Sequence, residues 1–179
     1  MIWKRIMNQL QKIRMDKINI LSILNDHLKT FYSVKSPKVI SFVQILLFVI
    51  CPVLPAVFYT FIEKYVIKDE YVNIIIAGAS ILAGFLFNLL ALFYSIKQNI
   101  LNKHQDDEMK IRIINESITN TAFNIVVSIF LIICIILCNN ASEFLTKLFT
   151  FLSIYLSIVF VLTLFMILKR MYIIIKSDQ

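Results

Sequence analysis

Apolar and polar positions divide the chain into a mixed opening stretch and four long apolar runs, near Val39–Ile62, Val72–Ile96, Ile118–Cys138 and Leu145–Leu168. The first three contain no Asp, Glu, Lys or Arg, and the fourth contains only Lys147, near its start. Each is long enough to cross a hydrocarbon core about 30 Å thick, which takes roughly 20 helical residues. Strands of a membrane barrel would be about 10 residues long and alternate apolar with polar, and these runs do not alternate. The pattern predicts an all-α integral membrane protein: a compact bundle of four transmembrane helices over residues 39–179, preceded by a basic amphipathic segment over 1–38.

Within that first segment, Trp3, Ile6, Met7, Leu10 and Ile13 recur at steps of three and four residues, with Lys4, Arg5, Lys12 and Arg14 among them. Ile20, Leu21, Leu24, Leu28 and Phe31 continue the pattern. This spacing predicts one or two amphipathic helices ending at Ser36-Pro37, because proline disfavours helix in the residue before it. Such helices lie on the inner leaflet or pack against the protein's own cytoplasmic loop. The central loop, 97–117, is rich in helix formers, so spans two and three are expected to project beyond the membrane as helices.

Composition agrees with a membrane protein. Apolar residues make up 59% of the 179 positions, against roughly 45–50% in soluble domains. A chain of this length is one domain with no room for a separate catalytic module. The net charge of +7 is concentrated near the first span, where 1–38 carry 8 Lys and Arg against 2 Asp. A basic stretch beside a span fits anionic lipid headgroups, so Lys4, Arg5, Lys12 and Arg14 are candidate contacts to the membrane surface or a partner. Direct nucleic-acid binding is not expected.

The Lys and Arg residues flanking the spans fall 15 on one side and 3 on the other. Positive-inside reasoning places both termini and the central loop in the cytoplasm. Cys51, Cys134 and Cys138 lie in apolar runs and read as packing residues. The N-terminus lacks the uninterrupted apolar core and cleavage site of a signal peptide, so the mature chain is expected to begin at Met1.

Polar positions inside the runs are the remaining signal. In span two, Ala77, Ser80, Gly84, Asn88, Ala91 and Ser95 form one small, weakly polar face. Such faces let another backbone approach closely, either within the monomer or across an oligomer or pore. Span three carries Glu116, Asn120, Asn124 and Ser128 at i, i+4 spacing. Asn88 and Asn124 fall at similar depth and are positioned for a mutual hydrogen bond. Ser80, Gly84, Asn88, Asn124 and Ser128 are therefore the candidate packing or oligomer seam. In span four, Thr146, Thr150, Ser153 and Ser157 are expected to bond back to their own helix. Pro52 and Pro55 are expected to kink span one.

No catalytic, cofactor or metal site is expected. His27 and His104 have no cysteine at zinc-ligand spacing. The charged run Lys103–Glu108 cannot face one point on a helix and reads as solvated, and the chain's two glycines leave no phosphate-binding loop.

The basic amphipathic start, the four runs, the stretch Ala83-Gly84-Phe85-Leu86-Phe87-Asn88-Leu89-Leu90 before Ser95-Ile96-Lys97, and the ending Met166-Ile167-Leu168-Lys169-Arg170-Met171-Tyr172 resemble small four-helix membrane proteins of bacterial anti-phage systems. The Kiwa membrane subunit and retron-associated membrane effectors are the types resembled. The first type implies an oligomeric inner-membrane sensor working with a soluble cytoplasmic partner. The second implies an effector that permeabilises or depolarises the membrane. The reading is a non-enzymatic sensor or effector subunit, with a small channel or permease subunit and a passive membrane anchor as alternatives.

Overall fold

The computed structural model describes residues 20–31, 46–63, 65, 67, 69–102, 108–138 and 142–176, and all five helices among them are set by the patterns above. Lys4, Arg5, Lys12, Arg14, the Ser36-Pro37 boundary, His104 and most of the charged run lie outside the described residues.

Helix α1, Ile20–Lys29, is the second half of the amphipathic segment. It buries His27, Thr30 and Phe31 on one side and leaves Leu21, Leu24 and Leu28 uncovered. One edge thus docks on the protein, at Asn120 and Phe123 rather than on the central loop, while the leucine edge is left exposed.

Helix α2, Leu46–Ile62, is the shortest of the apolar helices among the described residues. Its centre, Cys51–Val57, is α-helical, and the turns Leu46–Ile50 and Phe58–Ile62 on either side are π-helical. The prolines account for the irregularity. Pro52 follows directly on a π-helical turn and Pro55 lies inside the α-helical part, and each lacks the N–H that would complete a ladder bond. Beyond it the Phe58 N–H is shared between the Leu54 and Pro55 carbonyls, and the Glu63 N–H bonds the Phe58 carbonyl five residues back at 3.1 Å.

Helices α3 (Asp69–Asn102), α4 (Glu108–Cys138) and α5 (Glu143–Lys176) are each long and apolar enough to cross a membrane. They contain the predicted spans two, three and four. The helix formers of the central loop carry α3 to Asn102 and begin α4 at Glu108, as expected.

Helix α4 is central, packing on α5, α3 and α1, while α2 packs on α5. The order across the molecule is α3–α4–α5–α2. Consecutive α2 and α3 share no substantial interface, so the expected compact bundle is instead an open row. Helix α3 is held along one face, where Val72, Ala79, Leu86, Leu89 and Phe93 are buried at helical spacing. One core cluster joins Leu86, Phe93, Ile114 and Ile167, and a second joins Val72, Ala79, Leu131 and Ile135.

Ring contacts orient α2. Phe48 lies near His27 and Phe31, with centroid separations of 6.1 and 4.9 Å, whereas Phe61 lies 6.2 Å from Phe151 of α5. Helix α2 therefore runs from the end where α1 docks to the opposite end, alongside α5.

Candidate functional site

The densest polar constellation lies where α1 crosses α4 beside the C-terminal part of α5. His27 is 2% exposed. Its ring stacks on Phe123 of α4 with centroids 3.8 Å apart and planes 7° from parallel, and Phe31 meets it edge-on at 4.8 Å. His27 Nδ1 lies 2.8 Å from Asn120 Oδ1, an acceptor that selects the imidazole tautomer protonated at Nδ1. The Thr30 hydroxyl donates to the His27 carbonyl at 2.7 Å and lies 3.2 Å from the same Asn120 oxygen. His27 of α1 and Thr30 just past its end thus converge on one turn of α4.

One turn toward the end of the molecule, Glu116 joins two guanidinium groups. Arg112 Nε reaches its Oε1 at 3.1 Å, and Arg170 Nη2 of α5 reaches its Oε2 at 2.9 Å. The Arg170 side chain retains 12% of its exposure, and its Nη1 is buried without a hydrogen-bond partner among the described residues. Asn120 Nδ2 is also buried and unpartnered.

Burial pushes His27 down from its ordinary 6.5 to about 4; the Asn120 hydrogen bond opposes this shift, and the positive charge of Arg170 adds to it. His27 is therefore neutral in the docked state at physiological pH. The contacts of His27 and Thr30 with Asn120 and Phe123 suit this cluster to fastening α1 to α4. Among the described residues no group of three or more His, Cys, Asp or Glu is placed to hold a metal ion.

The candidate seam separates into two parts. Ser80, Gly84 and Asn88 lie on the face of α3 turned away from α4, and all three are exposed. At about 100° per residue, Gly84 and Asn88 lie roughly 160° from buried Leu86, nearly opposite the packed face. A Cβ added at Gly84 meets nothing within 4 Å, so the small face does not serve packing inside the monomer. Asn124 and Ser128 are fully buried on α4. Asn124 Nδ2 donates to the Phe160 carbonyl of α5 at 3.3 Å, and the Ser128 hydroxyl donates to the Ile125 carbonyl at 2.7 Å. The anticipated Asn88–Asn124 bond is not formed, because the two asparagines occupy different sides of the α3–α4 pair.

The span-four hydroxyls also depart from expectation. Ser157 bonds back to the Ser153 carbonyl at 2.8 Å, but the Thr146 hydroxyl reaches across to the Cys138 carbonyl at 3.4 Å. Thr150 faces the Cys138 thiol at 3.3 Å. Cys138 at the end of α4 and the first turns of α5 thus lie within reach of each other.

Sequence reasoning treated His27 as isolated and Arg170 as a flanking charge. The available signal was the spacing of His27, Thr30 and Phe31 at i, i+3 and i+4, on the edge adjoining the leucines of α1. Comparison with protein-family models, curated proteins and solved structures finds no match.

Proposed function

We propose that this protein is a membrane-embedded sensor or effector subunit, not an enzyme, which self-associates through the outward face of α3 and engages a soluble cytoplasmic partner. The observation that carries the proposal is the direction of that face. Ser80, Gly84 and Asn88 point away from their own bundle, and small residues with one amide are the surface through which transmembrane helices approach closely. A polar side chain turned toward lipid is costly, and a second copy provides it with a partner.

The resemblance to anti-phage membrane proteins supplies the setting, bacterial antiviral defence at the inner membrane. Four crossings with both termini cytoplasmic is the topology supported by the 15-to-3 distribution of Lys and Arg and by the course of α2 from one end of the row to the other. Lys4, Arg5, Lys12 and Arg14 are assigned to anionic headgroups or to the partner. A pore-forming effector is the second reading, favoured by the buried, unpartnered amide atoms of Asn120 and Asn124 along α4.

The test is Gly84→Leu, read by native mass in mild detergent together with partner pull-down. Because nothing lies within 4 Å of a Cβ there, the monomer should keep its fold and melting temperature while the oligomer dissociates and activity is lost. An intact oligomer with leucine at 84 would sink the assembly proposal. Retained activity without the oligomer selects a passive anchor, and a partner-free oligomer whose expression depolarises cells selects the pore.

A further inference from the structure

At the end of the row opposite His27, a cavity of about 440 Å³ opens between α3, α4, α5 and the chain leading into α3. Tyr65 and Tyr71 stand at its wall with Ile135, Ile158, Ser153 and Ser157. Ser153 is 1% exposed, and its hydroxyl has no hydrogen-bond partner among the described residues. Among the described hydroxyls Thr60 shares this state, but most do not. Ser80, Ser117, Thr119, Thr121, Ser157 and Thr163 all donate to the carbonyl four residues back, at 2.7–3.0 Å. Ser153 has the same option on α5 and does not take it. A buried hydroxyl that forgoes its own helix and lines a cavity points to an acceptor atom brought from outside.

The cavity's shape and lining restrict what brings that atom. One water molecule occupies about 30 Å³ in the liquid and needs two to four polar partners, so a largely isoleucine wall does not hold a water cluster of this size. A molecule with an apolar body and one acceptor oxygen matches both the wall and the hydroxyl. We propose that this cavity binds the carbonyl-bearing segment of a lipophilic molecule, a bilayer phospholipid, with an ester carbonyl accepting the Ser153 proton and the acyl chain lying against Ile135 and Ile158. The tyrosines then stand near the glycerol region, where amphipathic rings are favoured. An isoprenoid quinone offers the same carbonyl chemistry from another source. The inference rests on α3–α5 lying in a membrane and is independent of assembly through α3, so failure of the Gly84→Leu test leaves it standing.

The experiment uses the full chain in nanodiscs of phosphatidylcholine whose acyl chain carries a diazirine, with photolabelling mapped by mass spectrometry. Labelling at Tyr71, Ile135 and Ile158 is expressed relative to Ile81, which is 73% exposed and reports ordinary lipid contact. The expected result is excess labelling in the cavity, reduced roughly two- to tenfold by Ser153→Ala, the loss of one hydrogen bond. The wild type in diether phosphatidylcholine, which lacks the carbonyl, should show the same reduction. Ser153→Ala should not lower the melting temperature, since it removes a donor that is unpaired in the empty protein. Equal labelling of cavity and Ile81, or labelling indifferent to both Ser153→Ala and the ether lipid, overturns the proposal. Displacement of the label by added ubiquinone overturns the phospholipid assignment and transfers the carbonyl to a quinone.

Discussion

At His27, acid acts through the difference between the docked and released states of α1. Released, the imidazole titrates near 6.5; docked, it is held down to about 4. The charged groups around it are Arg170 from α5, Glu116 and Arg112 from α4, and Asp26 and Lys29 on its own helix. Because the docked value is the lower one, docking has full strength above about pH 6.5 and weakens as pH falls toward about 4, by roughly 3 kcal/mol over the interval. Amide hydrogen exchange in α1, corrected for intrinsic rates, should therefore lose protection between pH 7 and 5. His27→Phe keeps a ring against Phe123 but cannot titrate, so a pH slope that persists in this variant would rule His27 out as its source. Glu116→Gln is the second prediction at this scale. It leaves the mostly buried Arg170 charge uncompensated and should cost about 2–4 kcal/mol of stability in chemical denaturation. Replacing the pair together, Glu116→Leu with Arg170→Met, should recover most of that loss. Asn120 and Asn124 were legible in the sequence as amides inside an apolar run; Arg170 was not, because a charge at a span end reads as an interfacial flank until a partner on another helix is known.

Among the elements, α1 shows most directly how one amphipathic pattern serves two surfaces. Its sequence predicts an apolar stripe, and the helix does form. The edge that docks, however, is centred on His27, Thr30 and Phe31, while Leu21, Leu24 and Leu28 remain 75%, 43% and 49% exposed. Leucine left uncovered in this way stabilises by about 1.5–3 kcal/mol per side chain when transferred to hydrocarbon. Leu24→Glu with Leu28→Glu should therefore draw the leucine edge of α1 out of lipid without removing any contact to Asn120. A fluorophore at position 25, quenched by brominated lipid in the parent protein, should lose most of that quenching; unchanged quenching would show that the leucine edge is not in lipid. Helices α3, α4 and α5 were legible because long charge-poor runs admit one solution in a bilayer, where every backbone group must be satisfied internally. The π-helical turns of α2 were less so, since Pro52 and Pro55 announce a missing donor but not which neighbouring carbonyls accept the displaced N–H groups. The role of the α3 face was undetermined for a different reason. Small residues look the same in sequence whether the approaching backbone belongs to the same chain or another.

For the molecule as a whole, the open order α3–α4–α5–α2 decides the topology to be tested. Helix α1 and Arg170 near the end of α5 meet at one end of the row, and Phe48 brings the start of α2 to that same end. Phe61 and Phe151 meet at the other. The three long helices run the length of the row, and α2 runs beside α5 with 17 residues among those described, about 25 Å of helix against a hydrocarbon core of about 30 Å. If α2 crosses the membrane, α1 and the end of α5 face one compartment; if it stops short as a re-entrant segment, the sides no longer follow from the count of long helices. Single cysteines at Asn25, Lys176 and Ser142, in a background with Cys51, Cys134 and Cys138 replaced by alanine, separate these cases. In intact cells an impermeant maleimide should label position 142 and leave 25 and 176 unlabelled until the membrane is opened. Labelling of 25 and 176 from opposite sides would mean that only the three long helices cross, and would leave Phe48 and Phe61 without the membrane-spanning register that their aromatic contacts imply.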